Sequence, residues 1–500
     1  MRILPVVLSL FCAGSVAFAA NATSLKLPRS TPEAQGVSSG ALLGFVAAAE
    51  EKIDALHSVM VVRHGQVIAE GWWAPYSAGD RHELYSLSKS FTSTAVGLAV
   101  ESGKLSIEDP VLKFFPDEAP EKLSTNLRAM RVRDLLTMAT GQHQEDIQKI
   151  DWASKESLVK KFLALPVTHK PGTFFVYNTP ATYMLSAIVQ KVTGQTILDY
   201  LRPRLFEPLG IENPTWDASK QGVSFGGFGL SIRTEDIARF GQLYLQRGQW
   251  RGKQLVPAGW VDSATSRWMS NGSTPTSDWE QGYGFQFWRC RHGVIRGDGA
   301  HGQFCIIFPQ HDTVVAITAG TRDLQGVLNV VWDKLLPVLQ SAALPADAAA
   351  HAKLKGKLEE LSLRTPVAVE TAAAAAAVSG KRYVLAANTH AIESFSLRTS
   401  TVGSMATELT VSIGGSEQRI SLIPGTWHRD DLEGGPSAGP IAASGAWTAS
   451  DTFSIDMVRY LTPFSMRYQL KFEGEKVTLS ATPNVGPAVT GLKAVVGRHE

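Results

Sequence analysis

Hydrophobic and polar positions divide the chain into two unlike regions. In the first, helical and strand-like periods alternate. Residues 31–53 carry apolar side chains at helical spacing and predict an amphipathic helix. The runs SVMVVRHG and QVIAEGWW read as strands, joined by a hairpin turn at Arg63-His64-Gly65-Gln66. From Ser86 to Glu101 the chain is apolar along its length (FTSTAVGLAV), which predicts a buried helix stopped by Gly103. Residues 105–225 are rich in helical periods and turns, with LLTMATG, ESLVKKFLALP and ATYMLSAIVQKVTG the clearest pieces. Thr234-Glu235-Asp236 then opens another helix with a cap and an acidic first turn. Strands return at 282–289, 303–309 and 313–318, ahead of an amphipathic helix, LQGVLNVVWDKLLPVL. Strands at both ends with a helical block inserted predict a mixed α/β fold: a sheet assembled from distant chain segments, and an all-α lobe beside it.

The second region begins near Leu344. An Ala/Lys-rich stretch and six alanines at 372–377 read as linker with helix in places. After Ser379 the period becomes two: FSIDM (453–457) and MRYQLKF (466–472) alternate, and Glu473-Gly474-Glu475 turns the chain into KVTLSA. This predicts an antiparallel β domain, a small barrel or sandwich. With 500 residues, too many for one ordinary core, the expected division is a leader at 1–19, a first domain at 20–343, a linker at 344–378 and a β domain at 379–500.

The leader follows from Arg2, the apolar run ILPVVLSLFCAGSVAFA and the small-residue site Ala17-Phe18-Ala19, which predict cleavage before Ala20 and export to the periplasm or the medium. No later segment is long and apolar enough to span a bilayer. The balance of 48 Lys+Arg against 46 Asp+Glu gives no electrostatic reason to expect nucleic acid or an anionic membrane as partner. Beyond the leader stand Cys290 and Cys305, on two predicted neighbouring strands; a cross-strand bridge and a pair of buried thiols are both open. The histidines show no metal-ligand spacing, so neither metal nor cofactor is expected.

Candidate chemistry concentrates in three places. Ser86-Leu87-Ser88-Lys89 is S-x-x-K at a helix start, where one turn brings both side chains to one face and free N–H groups favour negative charge on oxygen. A serine hydroxyl becomes a nucleophile when a neighbour takes its proton. A second match, Ser157 to Lys160, lies in the charged stretch SKESLVKKF and reads as a solvated face. Next, Tyr177-Asn178-Thr179 follows the turn Pro171-Gly172 and supplies a phenol and a hydroxyl two residues on; Lys89 nearby would lower the phenol's pKa. Third, Gly297-Asp298-Gly299-Ala300-His301-Gly302-Gln303 opens a strand, where glycines let a substrate approach the backbone. The N–H groups of Ser86 and Ala300 are the candidate oxyanion hole, and Thr179, Gly299 and His301 are candidate substrate contacts. Gly222-Val223-Ser224-Phe225-Gly226 matches G-x-S-x-G but lacks the preceding strand, and reads as a loop. The stretch Gln142–Trp152, with Glu145, Asp146, Asp151 and Trp152, either faces the cleft and sets specificity or is a solvated loop.

Taken in order, these blocks resemble those of the β-lactamase-related serine hydrolases, which include penicillin-binding proteins, class C β-lactamases and family VIII esterases. YSLSKSFTSTAVGLAVESGKLSIEDPV, VRDLLTMATG, FVYNTPATYML, GGFGLSIRTEDIARFGQLYLQRG and GAHGQ carry the resemblance over about residues 30–340, and YNT and GAHGQ are most similar to the 6-aminohexanoate-dimer hydrolase branch. It implies an antiparallel sheet with flanking helices, an all-α lobe, an active site between them, and metal-free acyl-enzyme chemistry on a small ester or amide. Which of Lys89 and Tyr177 is the base stays open. Such enzymes with β-lactam substrates carry Lys-Thr-Gly at the third block; here Gly297-Asp298-Gly299 has no cation and sets an acid nearby, so weak or no β-lactam hydrolysis is expected. A cell-wall D-amino-acid peptidase or β-lactamase, and a catalytically dead penicillin-binding-like binding module, are the alternatives.

Overall fold

The computed structural model describes residues 26–145, 147–370, 372–399, 406–435, 438–486 and 491–499. The leader and its cleavage site lie outside the described residues, as does Asp146.

Six antiparallel strands form the central sheet: β1 (Leu56–Arg63), β2 (Gln66–Trp72), β3 (Trp288–Arg289), β4 (Ile295–Gly299), β5 (Gln303–Phe308) and β6 (Thr313–Ala319), in the order β2-β1-β6-β5-β4-β3. The β1–β2 hairpin turns on His64 and Gly65, both at positive φ (49° and 75°), as a tight hairpin requires. Strand period two divides the sheet between two cores. Met60, Val62, Cys305 and Ile307 face one core, and Val59, Val61, Phe304 and Ile306 face the other. The second core is closed by α1 (Ser39–Lys52) and by the helix after β6. The first is closed by α2 (Ser88–Glu101), α3 (Thr179–Thr193) and α4 (Thr234–Leu245), within and beside the all-α lobe. The expected mixed α/β fold is therefore present.

Three elements differ from expectation. The first helix starts at Ser39 rather than near 31, because the Ser38 side chain accepts from the Ala41 N–H (3.1 Å) and sets the N-cap. The strand expected over 282–289 shrinks to Trp288–Arg289. Gln286 takes φ 64° and buries its amide, which donates to the carbonyls of Leu135 and Leu136 (3.1 and 2.9 Å), so hydrogen bonding to the all-α lobe overrides the alternating pattern. The helix from Leu324 remains α-helical only to Val330; a wider turn over Val331–Leu335 and a tighter one over Leu336–Val338 follow, the latter with Pro337 in its first turn.

Cys290 and Cys305 are free and buried, one in each of the two cores. In the stretch expected to be linker, a helix at Ala348–Glu359 packs on α1 and β2 through Leu354, and Lys357 pairs with Glu50 (2.7 Å). Beyond it a ten-stranded antiparallel meander pairs its first strand (Arg382–Leu385) with its last (Leu492–His499). Its edge strands, Ser416–Leu422 and His428–Leu432, are brought together where Ser444 Oγ donates to the Ile423 carbonyl (2.9 Å), so the sheet curls into a nearly closed barrel. Met466, Tyr468, Leu470 and Phe472 point inward from one strand, as their alternation predicts.

The barrel is seated on the hydrophobic sheet domain by its turn at 459–464. The Leu461 carbonyl accepts from Glu83 N–H (2.9 Å) and the Thr462 carbonyl from the Tyr76 hydroxyl (3.1 Å). Asn484 Nδ2 donates to the Gly320 carbonyl (3.0 Å), and Arg429 engages the Asp80 carboxylate. Among the described residues no helix is long and apolar enough to cross a membrane.

Candidate active site

Ser86 stands on a short 3-10 turn, Tyr85–Leu87, that runs directly into α2. The turn is fixed from both sides: Leu84 N–H donates to the Leu230 carbonyl (2.8 Å), and Tyr85 is held at φ 49°. A bulky residue at positive φ is costly, and such strain gathers at functional sites. Ser86 is thus half-buried at the sheet's edge, just before the helix rather than on it.

One turn later Lys89 is buried, 1 % exposed, and its amine has three partners: Ser86 Oγ at 3.0 Å, Thr179 Oγ1 at 3.3 Å and the Gly227 carbonyl at 2.8 Å. Burial lowers its pKa to about 7, against the upward pull of Glu145 and Asp298. An amine with this midpoint is substantially neutral at pH 7 and can accept the serine proton.

Tyr177 comes from the loop before α3, whose N-cap is Asn178 (side chain accepting from Ala181 N–H, 3.0 Å). Its hydroxyl hydrogen-bonds Ser86, and its ring stacks on Trp288 (centroids 5.4 Å apart) with the Lys89 amine 4.9 Å from its centre. Burial and then Asp298 push its pKa far above the ordinary tyrosine value, outweighing the bond from Ser86. The net lowering expected from Lys89 is not seen, because burial dominates. Tyr177 is therefore a hydroxyl donor at neutral pH, and Lys89 is the stronger candidate base.

Thr179 bonds Lys89 and gives its hydroxyl proton to Glu145 Oε1 (2.8 Å). Of the stretch flagged at Gln142–Trp152, Glu145 thus reaches the site. Gln142 is buried beneath Asn178, and Trp152 packs edge-on against Phe225 and Phe228. The G-x-S-x-G match is a loop with Ser224 buried, yet the residues just after it matter. Gly226 accepts from Thr92 Oγ1 (2.8 Å) and Gly227 from Lys89. A Cβ on Gly227 would stand 2.8 Å from Thr179 Cγ2, so glycine is what lets this carbonyl reach the amine. Ser157 is a helix cap, accepting from Lys160 N–H (3.3 Å), and has no part in the site.

The third block forms β4 and its turn into β5. A Cβ at Gly299 would lie 2.1 Å from the Leu84 carbonyl oxygen, and one at Gly297 2.5 Å from Ser90 Oγ. These glycines admit the turn that carries Ser86 against β4, rather than a substrate as expected. Ala300 is next in the chain. The His301 ring meets Tyr85 and Phe464 edge-on (5.2 and 5.8 Å), at the junction with the barrel. Asp298 is not a free acid: Arg296 Nε donates to it at 2.8 Å, and both are buried. Arg296 is in turn sealed over Trp279 and Trp288 (4.5 and 5.3 Å). The expected repulsion of a substrate carboxylate by Asp298 is therefore largely cancelled. What stands is the lack of an open cation on β4.

This chain is 26% identical over 276 residues to a 6-aminohexanoate-dimer hydrolase of Paenarthrobacter ureafaciens, covering 51% of this chain and 70% of that one. It is 26% identical over 168 residues to a lovastatin esterase of Penicillium rubens, covering 29% of this chain and 42% of the esterase. A solved structure of a candidate β-lactamase from Bacteroides dorei superposes with a TM-score of 0.51 at 17% identity, over 60% of this chain and 98% of that one, a likeness of fold. The Beta-lactamase family model matches residues 46–329, more than half of the sequence, and the chain belongs to that family of hydrolases.

Proposed function

We propose that the protein is an exported serine hydrolase that cleaves a small ester or amide through a Ser86 acyl-enzyme and turns over β-lactams poorly. The observation that carries this reading is the buried Lys89 amine, near neutrality, 3.0 Å from Ser86 Oγ. Lys89 takes the hydroxyl proton as Oγ attacks the carbonyl carbon. Oxygen charge in the tetrahedral intermediate is held by the N–H groups of Ser86 and Ala300. Collapse breaks the bond to the leaving group, which takes a proton from the Lys89–Tyr177 pair. Water then attacks the acyl carbonyl, gives its proton to the same pair, and frees the acid with Ser86 restored. Thr179 and Glu145 hold the amine in place, and Gly299 and His301 border the site. The poor β-lactam turnover follows from the sealed position of Arg296, which leaves no cation on β4 to grip a carboxylate. Division at 20–343, 344–378 and 379–500, with residues 1–19 removed on export, completes the reading.

The test is p-nitrophenyl butyrate hydrolysis by the mature protein and by Ser86→Ala. Turnover by the former and a loss of at least about 10³-fold in the variant is expected. Equal turnover by both refutes the assignment of Ser86, and nitrocefin turnover matching that of the ester refutes the specificity.

A further inference from the structure

Two residues beside the site hold backbone conformations that side chains rarely adopt. Tyr85, which precedes Ser86, takes φ 49°, and His301, which follows Ala300, takes φ 67°. A residue with a Cβ resists such angles, and they persist only where the surroundings over-determine them. The two side chains meet edge-on, with ring centroids 5.2 Å apart.

The third ring at this point belongs to the barrel. Phe464 lies edge-on to both, 6.1 Å from Tyr85 and 5.8 Å from His301. Aromatic pairs favour this geometry, which constrains where each ring can sit. The turn that presents Phe464 is itself fixed. Within it, Arg459 N–H donates to the Phe464 carbonyl (3.0 Å) and Phe464 N–H to Thr462 Oγ1 (3.2 Å). Toward the sheet, Asn484 Nδ2 donates to the carbonyls of Pro463 (2.9 Å) and Gly320 (3.0 Å). The Leu461 carbonyl accepts from Glu83 N–H (2.9 Å), two residues before Tyr85. Gly486 closes against the same rings: a Cβ there would lie 2.7 Å from Phe464 Cε1 and 3.4 Å from His301 Nε2, so glycine is what lets this barrel loop pack here.

The Ser86 N–H lies in the peptide plane shared with Tyr85, and the Ala300 carbonyl in the plane shared with His301. A change at either residue therefore turns the chain at the oxyanion hole proposed above. From this we infer that Phe464 is a positioning residue for the hydrolysis: packed on Tyr85 and His301, it holds the two backbone segments whose N–H groups receive the oxyanion, so the barrel takes part in catalysis through them rather than on the substrate.

The inference rests on the serine-hydrolase reading. Its test compares the full-length parent with Phe464→Ala, Phe464→Leu and Phe395→Leu, the last a like substitution inside the barrel, against Tyr383 and Phe472. kcat and KM for p-nitrophenyl acetate are measured separately, with Ki for phenylboronic acid, whose adduct on serine carries a tetrahedral oxygen like that of the intermediate. Misplacing a reacting group by about 1 Å costs about 100-fold, so Phe464→Ala should lose at least about tenfold in kcat, with KM within about twofold and Ki raised by the factor that kcat loses. Phe464→Leu should lie between, and Phe395→Leu should keep the parental kcat. Parental kcat in Phe464→Ala overturns the inference. So does a loss confined to KM, which marks a substrate contact, or a Ki that stays put while kcat falls. An equal loss in Phe395→Leu overturns it too, because it marks general loosening of the barrel. Should Phe464→Ala fail to fold, Phe464→Leu decides alone: a kcat loss of at least about threefold supports the inference, and a parental value overturns it. Failure of the serine reading shows separately, as turnover retained by Ser86→Ala, and the inference then falls with it.

Discussion

Lys89 as the base makes a quantitative claim about pH. With its midpoint at about 7, roughly 9 % of the amine is neutral at pH 6 and roughly 91 % at pH 8, so kcat/KM should rise about tenfold across that interval and level off above it. Burial sets the midpoint low, while Glu145 and Asp298 hold it up. Glu145→Gln tests the balance without disturbing the scaffold, because an amide oxygen can still accept from Thr179 Oγ1. The Lys89 amine and the Glu145 carboxylate are no more than about 6 Å apart, since both bond that hydroxyl, at 3.3 and 2.8 Å. Glu145 is exposed, so water screens it, and at full screening the attraction is about 0.7 kcal/mol. Removing a group that favours the charged amine lowers the midpoint. The variant should therefore be about threefold faster than the parent at pH 6 and equal to it at pH 9. The assay is p-nitrophenyl acetate hydrolysis from pH 5.5 to 9 at constant ionic strength, with the gap narrowing in 1 M salt. A limb that does not move, or moves up, refutes the role of Glu145. A wild-type limb centred near 10 refutes Lys89 as the base.

Two further outcomes test the scaffold. Gly299→Ala places a Cβ against the Leu84 carbonyl and must push β4 from the nucleophile turn; we expect a loss of about 1–3 kcal/mol in stability by thermal unfolding and about 100-fold in kcat/KM, whereas Gly44→Ala, in open space on α1, should leave activity unchanged. Asp278 is fully buried and accepts from Arg291, Gln325 and Trp332; burial pushes its pKa up, but these bonds outweigh it and hold it below the usual carboxylate range. Asp278→Ala should cost about 3–5 kcal/mol at pH 7. Because the folded-state pKa is depressed, that contribution is present above the unfolded value and lost below it, so parent and variant should converge in urea unfolding as pH falls below about 4.

Local contacts were the legible ones. Ser86 and Lys89 meet because they are one turn apart, and Tyr177 and Thr179 arrive together because Asn178 caps the helix that follows. The lumen-facing positions of the barrel follow from period two. The carbonyl of Gly227 could not be read, since a backbone acceptor has no residue type; only its place in the block GGFGLS hinted at it. Gln286 was misread for a related reason. Its strand-like neighbourhood is overridden by side-chain bonds to carbonyls 150 and 151 residues away in sequence. The seating of the barrel beside Ser86 was equally invisible, because it depends on backbone bonds from Leu461 and Thr462 that any sequence could offer.

Charge balance shows most clearly why the sequence motifs alone mislead. Read along β4, Asp298 is an acid without a cation. In three dimensions Arg296, two residues earlier on the same face of the strand, neutralises it, and tryptophans close over the pair. Arg296 is thereby withheld from any substrate, and Asp298 with it. Burial governs the proton as well. With the amine near its midpoint and Tyr177 pushed firmly to its protonated form, the roles separate in the proposed mechanism: the amine accepts, and the phenol has a proton to give. Acylation needs an acceptor as the nucleophile forms and a donor as the leaving group departs. In the proposed acylation, a buried pair whose pKa values are driven apart supplies both.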